Sequence, residues 1–167
     1  MDEQVIRKRI AEARNAISFL EGSGYGIKFQ PVADFKDKKL YPLDFQIYME
    51  EIGQLEIGSQ RNNDGVLILE TQAPVPLPQS DDHHVLVLKD FEADEIVENV
   101  LAKKAMVVAT DHDSDNLCYD TTVWPFELFS FFVKPYRFPN YCFIEWLLDY
   151  CLSPELEFVR RLGPSVK

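Results

Sequence analysis

The sequence predicts an α+β fold in which helices flank a largely antiparallel sheet. Three observations carry this. Apolar stripes at helical spacing occupy both ends of the chain, short apolar or alternating runs fill the middle, and Asn, Asp, Gly and Pro separate those runs. The 167 residues suffice for one domain with a substantial core. At 46% hydrophobic and 13% aromatic residues, the composition is that of a globular chain, not a disordered one. A single domain is expected over 1–167, with its core at about 2–152 and a short terminal helix at 153–163.

The elements follow in order. From Asp2 to Glu21 the spacing of Ile6, Ile10, Ala13, Ile17 and Leu20 alternates between four and three, a narrow helical seam that Gly22-Ser-Gly24 ends. Tyr25 to Val32 alternates as a strand does. Pro31, with no N–H for a ladder, marks a sheet edge or a strand end. Asp34 to Lys39 reads as a charged loop. The stretch Leu40 to Gly58 then reads as an amphipathic helix with both ends marked. Pro42 suits the first helical position, where its missing N–H costs nothing. Phe45, Tyr48, Met49 and Ile52 make one apolar stripe, and Gly53 ends the helix with a positive φ.

Beyond it, Leu55 and Ile57 predict a short strand, Gln60 to Gly65 a polar turn, and Val66 to Leu69 a buried strand. Pro74, Pro76 and Pro78 break the next segment into an extended, irregular connection. Val85 to Leu88 reads as a strand and Ala93 to Lys104 as a helix. Met106 to Ala109 and Leu117 to Thr122 form a hairpin around the turn Asp111 to Asn116. Trp124 to Pro139 is aromatic-rich and interrupted by Pro125, Pro135 and Pro139. Asn140 is the expected N-cap of a helix carrying Phe143, Trp146, Leu147 and Tyr150, and Ser153-Pro154-Glu155 starts the terminal helix.

Charge narrows the partners. With 28 Asp and Glu against 17 Lys and Arg, the formal net charge is −11, which repels phosphate backbones and disfavours nucleic acid. The same surface suits a basic protein, although acidic composition also serves solubility alone. Cys118, Cys142 and Cys151 give an odd count without a CxxC pair, so neither a disulfide framework nor a zinc site follows. The charged N-terminus lacks a signal-peptide core, and no apolar run approaches the roughly 20 residues that span a bilayer. A cytoplasmic location is expected.

Several constellations have a simpler reading beside the functional one. Asp111, Asp113 and Asp115 have the opening spacing of a calcium loop. Asn116 stands where the loop needs Gly and Thr122 where it needs Glu, so a polar hairpin turn accounts for them. Asp81-Asp82-His83-His84 reads as a solvated loop, because neighbouring strand side chains point to opposite faces and would not share one ion. Asp111, His112 and Cys118 suggest a hydrolase-like nucleophile. The sequence shows neither a placed base nor an oxyanion donor, and Cys118 fits an ordinary strand. Glu92, Asp94 and Glu95 favour the start of a helix electrostatically and also suit an acidic docking face; Glu50, Glu51 and Glu56 share that ambiguity. Within the aromatic run most side chains are expected in the core, with Trp124 and Tyr136 exposed.

The pattern Leu40-Tyr-Pro-Leu-Asp-Phe45, then Tyr48-Met49, then Ile52-Gly53 and a short strand, resembles the signature of the SUKH superfamily. The hairpin Ala109 to Asp120 and the segment Cys142 to Leu147 resemble its later elements, in the same order. Three features depart from it: the aromatic or Gly-rich environment usual after the second helix is present only in part, as Ile52-Gly53 then Gly58, Ser114-Asp115 replaces the Gly often found in the hairpin turn, and Asp90 to Lys104 looks like added helical material. That superfamily includes bacterial toxin-immunity proteins and a fungal cell-wall regulator. The resemblance implies a SUKH-like fold and non-enzymatic protein binding, with no shared catalytic set and no cofactor to carry over. The implied function is neutralisation of a toxin domain, a basic one by charge, by a monomer or homodimer. The alternative is a regulatory module of the same fold with no toxin partner. Trp124, Tyr136, Asp111, Asp113, Asp115, Glu92, Asp94 and Glu95 are the candidate partner-binding residues.

Overall fold

The chain begins with a side-chain cap. In a computed structural model, which describes residues 1–59, 67–76, 105–111, 116–131, 135–137 and 142–152, the Asp2 carboxylate accepts the Val5 N–H at 3.0 Å. At residues 111, 131, 135–137 and 150 only the backbone is described. This cap satisfies one of the free donors of the helix α1, Glu3–Gly22. Ile6, Ile10, Ala13, Ile17 and Leu20 are all buried, so the predicted seam is the face that α1 turns inward. Gly24 leaves the helix with φ +94.

Strand β1 spans Ile27–Gln30 and forms one edge of the sheet, with Pro31 just past its end. The charged segment after it tightens into a single 3-10 turn at Lys38–Leu40. Helix α2 spans Leu43–Glu51. Pro42 sits one position earlier than expected: it is the N-cap, with ψ 146, and its fixed φ of −55 leads into the helix from outside. Phe45, Tyr48, Met49 and Ile52 are buried as the stripe requires.

Among the described residues, strands β2 (Gln54–Gly58), β3 (Leu67–Pro76), β4 (Ala105–Asp111), β5 (Asn116–Asp120), β6 (Glu127–Phe131) and β7 (Pro135–Arg137) make up the rest of the sheet. The seven strands lie in chain order, each antiparallel to the next. The fold is therefore α+β, as expected. β3 departs from expectation by continuing through Pro74 and Pro76. The register against β4 shifts between Thr71 and Val75, and that irregularity takes in Pro74, while Pro76, paired with Met106, is the last residue of the strand. The aromatic run supplies β6 and β7, two strands its prolines do not suggest.

The last helix among the described residues, α3, spans Phe143–Trp146 and widens into a π-type turn at Leu147–Cys151. Its N-cap is Cys142, not Asn140; Asn140 lies outside the described residues, and the Cys142 side chain does not itself cap the helix. The turn predicted at 60–65, the strand at 85–88 and the helices at 93–104 and 153–163 also lie outside them.

The three helices among the described residues cover one face of the sheet. Ile6, Phe45, Met49, Leu55, Leu69, Leu117 and Phe143 lie in the same buried cluster between the layers. In β5, Leu117 and Tyr119 point into it, while Cys118 and Asp120 alternate away and are buried too. An Arg9–Glu145 ion pair, half-buried, joins α1 to α3.

Thr71 is the polar counterpart of this packing. Its hydroxyl, 1% exposed, donates to the Gly53 carbonyl at 3.0 Å and accepts the Leu55 N–H at 3.0 Å. The buried Tyr48 hydroxyl lies 2.9 Å away and donates to it, since the Thr71 proton is already engaged. One hydroxyl thus joins α2, the turn after it, β2 and β3. Replacing Thr71 with Val keeps the shape and strands three polar partners, so unfolding in urea should show a loss of about 2–4 kcal/mol. Gly53 is equally constrained: at φ +76, an added Cβ would stand 2.0 Å from the Gln30 carbonyl oxygen. Gly53→Ala should cost more than about 2 kcal/mol in the same assay.

Candidate functional site

Exposed Trp124 is the outermost member of a ladder of rings. It follows β5, where the buried Asp120 carboxylate accepts the Thr122 N–H at 2.9 Å and also the Thr122 hydroxyl. These bonds fix the turn that carries the indole. Trp124 is 70% exposed, and its ring meets Phe126 edge-on at 5.5 Å between centroids. Phe126 meets Tyr41 at 5.3 Å, Tyr41 meets Tyr119 at 5.5 Å, and Tyr119 meets Phe45 at 5.4 Å. Phe45 meets Phe143 at 4.9 Å. A path of packed rings therefore connects the surface indole to the centre of the core. Each such contact contributes roughly 0.5–1.5 kcal/mol beyond the area it buries. Leu40 and Leu43, on either side of Tyr41 and Pro42, are also exposed, as are Lys36 and Lys39 before them.

The structure places Trp124 as the sequence suggests. For Tyr136 it gives only the backbone, in the middle of β7 and paired with Ser130. Asp111 ends β4 opposite Leu69, again by backbone alone. Asp113, Asp115, Glu92, Asp94 and Glu95 lie outside the described residues, as do Asp81, Asp82, His83, His84 and His112. Cys118 is fully buried in β5, and burial pushes its thiol up to about 12, far from a nucleophile at neutral pH. Among the described residues, no group of three His, Cys, Asp or Glu could hold a metal ion. Among them, too, no helix is long and apolar enough to cross a membrane.

Asp44 is the site residue that local pattern reading passes over. It sits in the first turn of α2 and is only 4% exposed. Its carboxylate accepts the Ile144 N–H at 3.2 Å from a residue 100 positions away, so α2 caps α3 across the fold. The Phe143 and Phe45 amides and the Cys142 thiol also bond to it. Burial raises its pKa, and these four donors pull the other way. Cys142, half-buried, has its own thiol pushed up to about 11 by burial and by the Asp44 charge. The helical stripe announces Phe45 but gives no sign of what Asp44 holds.

A second surface feature is a cleft of about 320 Å³ beside the edge strand β1, lined by Arg14, Ile17, Ser18, Glu21, Phe29 and Glu51, among others. Arg14 reaches along it to the Glu51 carbonyl at 2.7 Å, and Phe29 is 57% exposed at its rim. The Arg14 and Glu51 charges engage each other there.

No protein-family model, curated protein or solved structure matches the chain.

The Asp44 environment predicts a pH signature. A carboxyl whose folded pKa is raised binds its proton more tightly folded than unfolded. Its contribution to stability is thus greatest in acid and is lost as pH rises through the folded value. Asp44→Asn keeps an acceptor for Ile144 and removes the buried charge. Its melting temperature relative to the parent should fall as pH is lowered from 7 towards 4. Asp44→Ala leaves the amides of α3 unpaired and should cost about 1–3 kcal/mol at pH 7, read by chemical unfolding.

Proposed function

We propose that this chain is a non-enzymatic binding protein that neutralises a toxin domain by direct contact in the cytoplasm. The SUKH-like pattern at Leu40 to Gly58 and Cys142 to Leu147 is the ground for the toxin partner. The observation that carries a binding role is Trp124: a large indole exposed on a fixed turn and backed by packed rings. An exposed aromatic held in one orientation loses little entropy when a partner covers it, and tryptophan dominates binding energy where it is buried at an interface. Leu40 and Leu43 extend the apolar area at that end.

The net charge of −11 supplies the sign of the partner. Seven acidic residues fall between Asp81 and Glu98 against one lysine, Lys89. Such a field speeds the approach of a basic protein, while the desolvated aromatic surface governs how long the complex lasts.

Affinity capture from native cells, with the purified chain as bait, tests the proposal. One basic, toxin-like protein should be retained stoichiometrically, and its activity should fall on binding. Trp124→Ala should weaken that complex by more than about tenfold, while the melting temperature of the free chain falls by no more than about 2–4 °C, from loss of the edge contact with Phe126. Added salt should slow association. Retention of cellular proteins with no toxic activity would replace this reading with a regulatory module of the same fold.

A further inference from the structure

Strand β1 is the edge of the described sheet, and Lys28, Phe29 and Gln30 on it are all exposed. Its register opposes Ile27 to Ile57, so Gly26 stands opposite Gly58, and the Gly26 carbonyl accepts the Gly58 N–H at 2.7 Å. Bonded pairs alternate along an antiparallel ladder, so Lys28 and Gln30 also bond to β2. Ile27 and Phe29 therefore turn their N–H and C=O groups away from β2, and no described residue takes them up. Such a row of backbone groups is a template for one more strand. A cleft lies beside it. Phe29 shares a face of the sheet with Ile27, which packs against the core. Between Phe29 and Pro31 on the sheet side and Ile17, Ser18 and Glu21 on α1, the cleft holds about 320 Å³. Its charges do not balance. Arg14 is bonded to the Glu51 carbonyl at 2.7 Å, and the Glu51 carboxylate also pairs with Arg7 at 2.5 Å. Glu21, exposed at the rim, has no cation paired with it among the described residues.

We propose that β1 accepts an extended, basic segment of a partner protein as an added strand, with an apolar side chain of that segment in the cleft and a lysine or arginine against Glu21. Main-chain bonds to Ile27 and Phe29 supply affinity without regard to sequence, while the cleft and Glu21 select which segment fits. Charge decides between the occupants of a free edge. A net charge of −11 sets two copies of this chain against each other and draws in a basic segment. Lys28 does not oppose that segment, because its side chain lies on the other face of the strand, 3.9 Å from Glu56. Trp124 follows β5, four strands away across the sheet, so this surface is separate from the indole and does not require the partner to be a toxin.

The test is an NMR titration of the isotopically labelled full chain with short capped peptides that alternate lysine with valine, leucine or phenylalanine. Binding should saturate, with the largest amide shifts at Ile27, Phe29 and Ser18. Methylating the peptide nitrogens on the bonding edge keeps charge and side chains, and should weaken binding by at least about tenfold. Glu21→Gln should weaken it by about two- to fivefold, with the melting temperature unchanged because the side chain is exposed. Trp124→Ala should bind these peptides as the parent does, which keeps the result independent of the toxin reading. Equal binding of the methylated peptides would reduce the effect to charge attraction and overturn the proposal. So would shifts centred away from β1, or no binding by any of the peptides. Self-association of the free chain with shifts at Ile27 and Phe29 would give the edge to a second copy, and would overturn it as well.

Discussion

The main buried cluster is arranged around one short helix, α2, and the ring it carries at Phe45. That ring packs edge-on against Phe35, Tyr119 and Phe143, is tilted against Tyr41 and lies parallel to Tyr48. The loop before α2, the sheet behind it and the final helix beside it therefore share one contact surface. Nine residues cannot hold a helix in water by propensity, so α2 exists because its stripe is covered. The dependence is mutual: α3 has four residues before its wider turn and takes its first hydrogen bonds from Asp44 on α2.

Two buried polar groups give that apolar contact a single register. A cluster of rings can settle in several near-equivalent packings, but a hydroxyl bonded to Tyr48, Leu55 and Gly53 can be satisfied in only one. Thr71 and Asp44 act in this way towards the two ends of α2, Asp44 from its first turn towards α3 and Thr71 at Tyr48 and the chain after the helix, towards β2 and β3. Gly53 lets the chain turn between them, tight against the Gln30 carbonyl at the end of the edge strand.

Much of this is legible in the sequence, and the parts that are not share a physical character. The seam of α1, the stripe of α2, the Gly53 stop and the alternation of Leu55 and Ile57 are local patterns, set by period and backbone freedom, and the structure keeps each of them. The difference at Pro42 is one position, within the ambiguity of where a helix starts. The larger difference is at Pro74 and Pro76, which read as an irregular connection although β3 takes Pro74 into a register shift against its partner strand and ends on Pro76. Asp44 and Thr71 are invisible for a deeper reason. Their roles depend on residues 100 and 16–23 positions away, and nothing in the local pattern of an aspartate or a threonine announces a distant partner. The exposure of Trp124 is legible, but not the Asp120 turn and ring ladder that hold it in place.

The link between fold and proposed function is rigidity: a surface indole serves as a binding anchor only if the packing beneath it does not move. Native-state amide hydrogen exchange across a denaturant series measures this most directly. The account predicts that the amides of Tyr48, Met49, Ile52, Leu55 and Ile144 exchange only through global unfolding, with the free energy and denaturant dependence of the whole chain. Exchange of these amides through a cheaper local opening, while β4 and β5 stay protected, would contradict it.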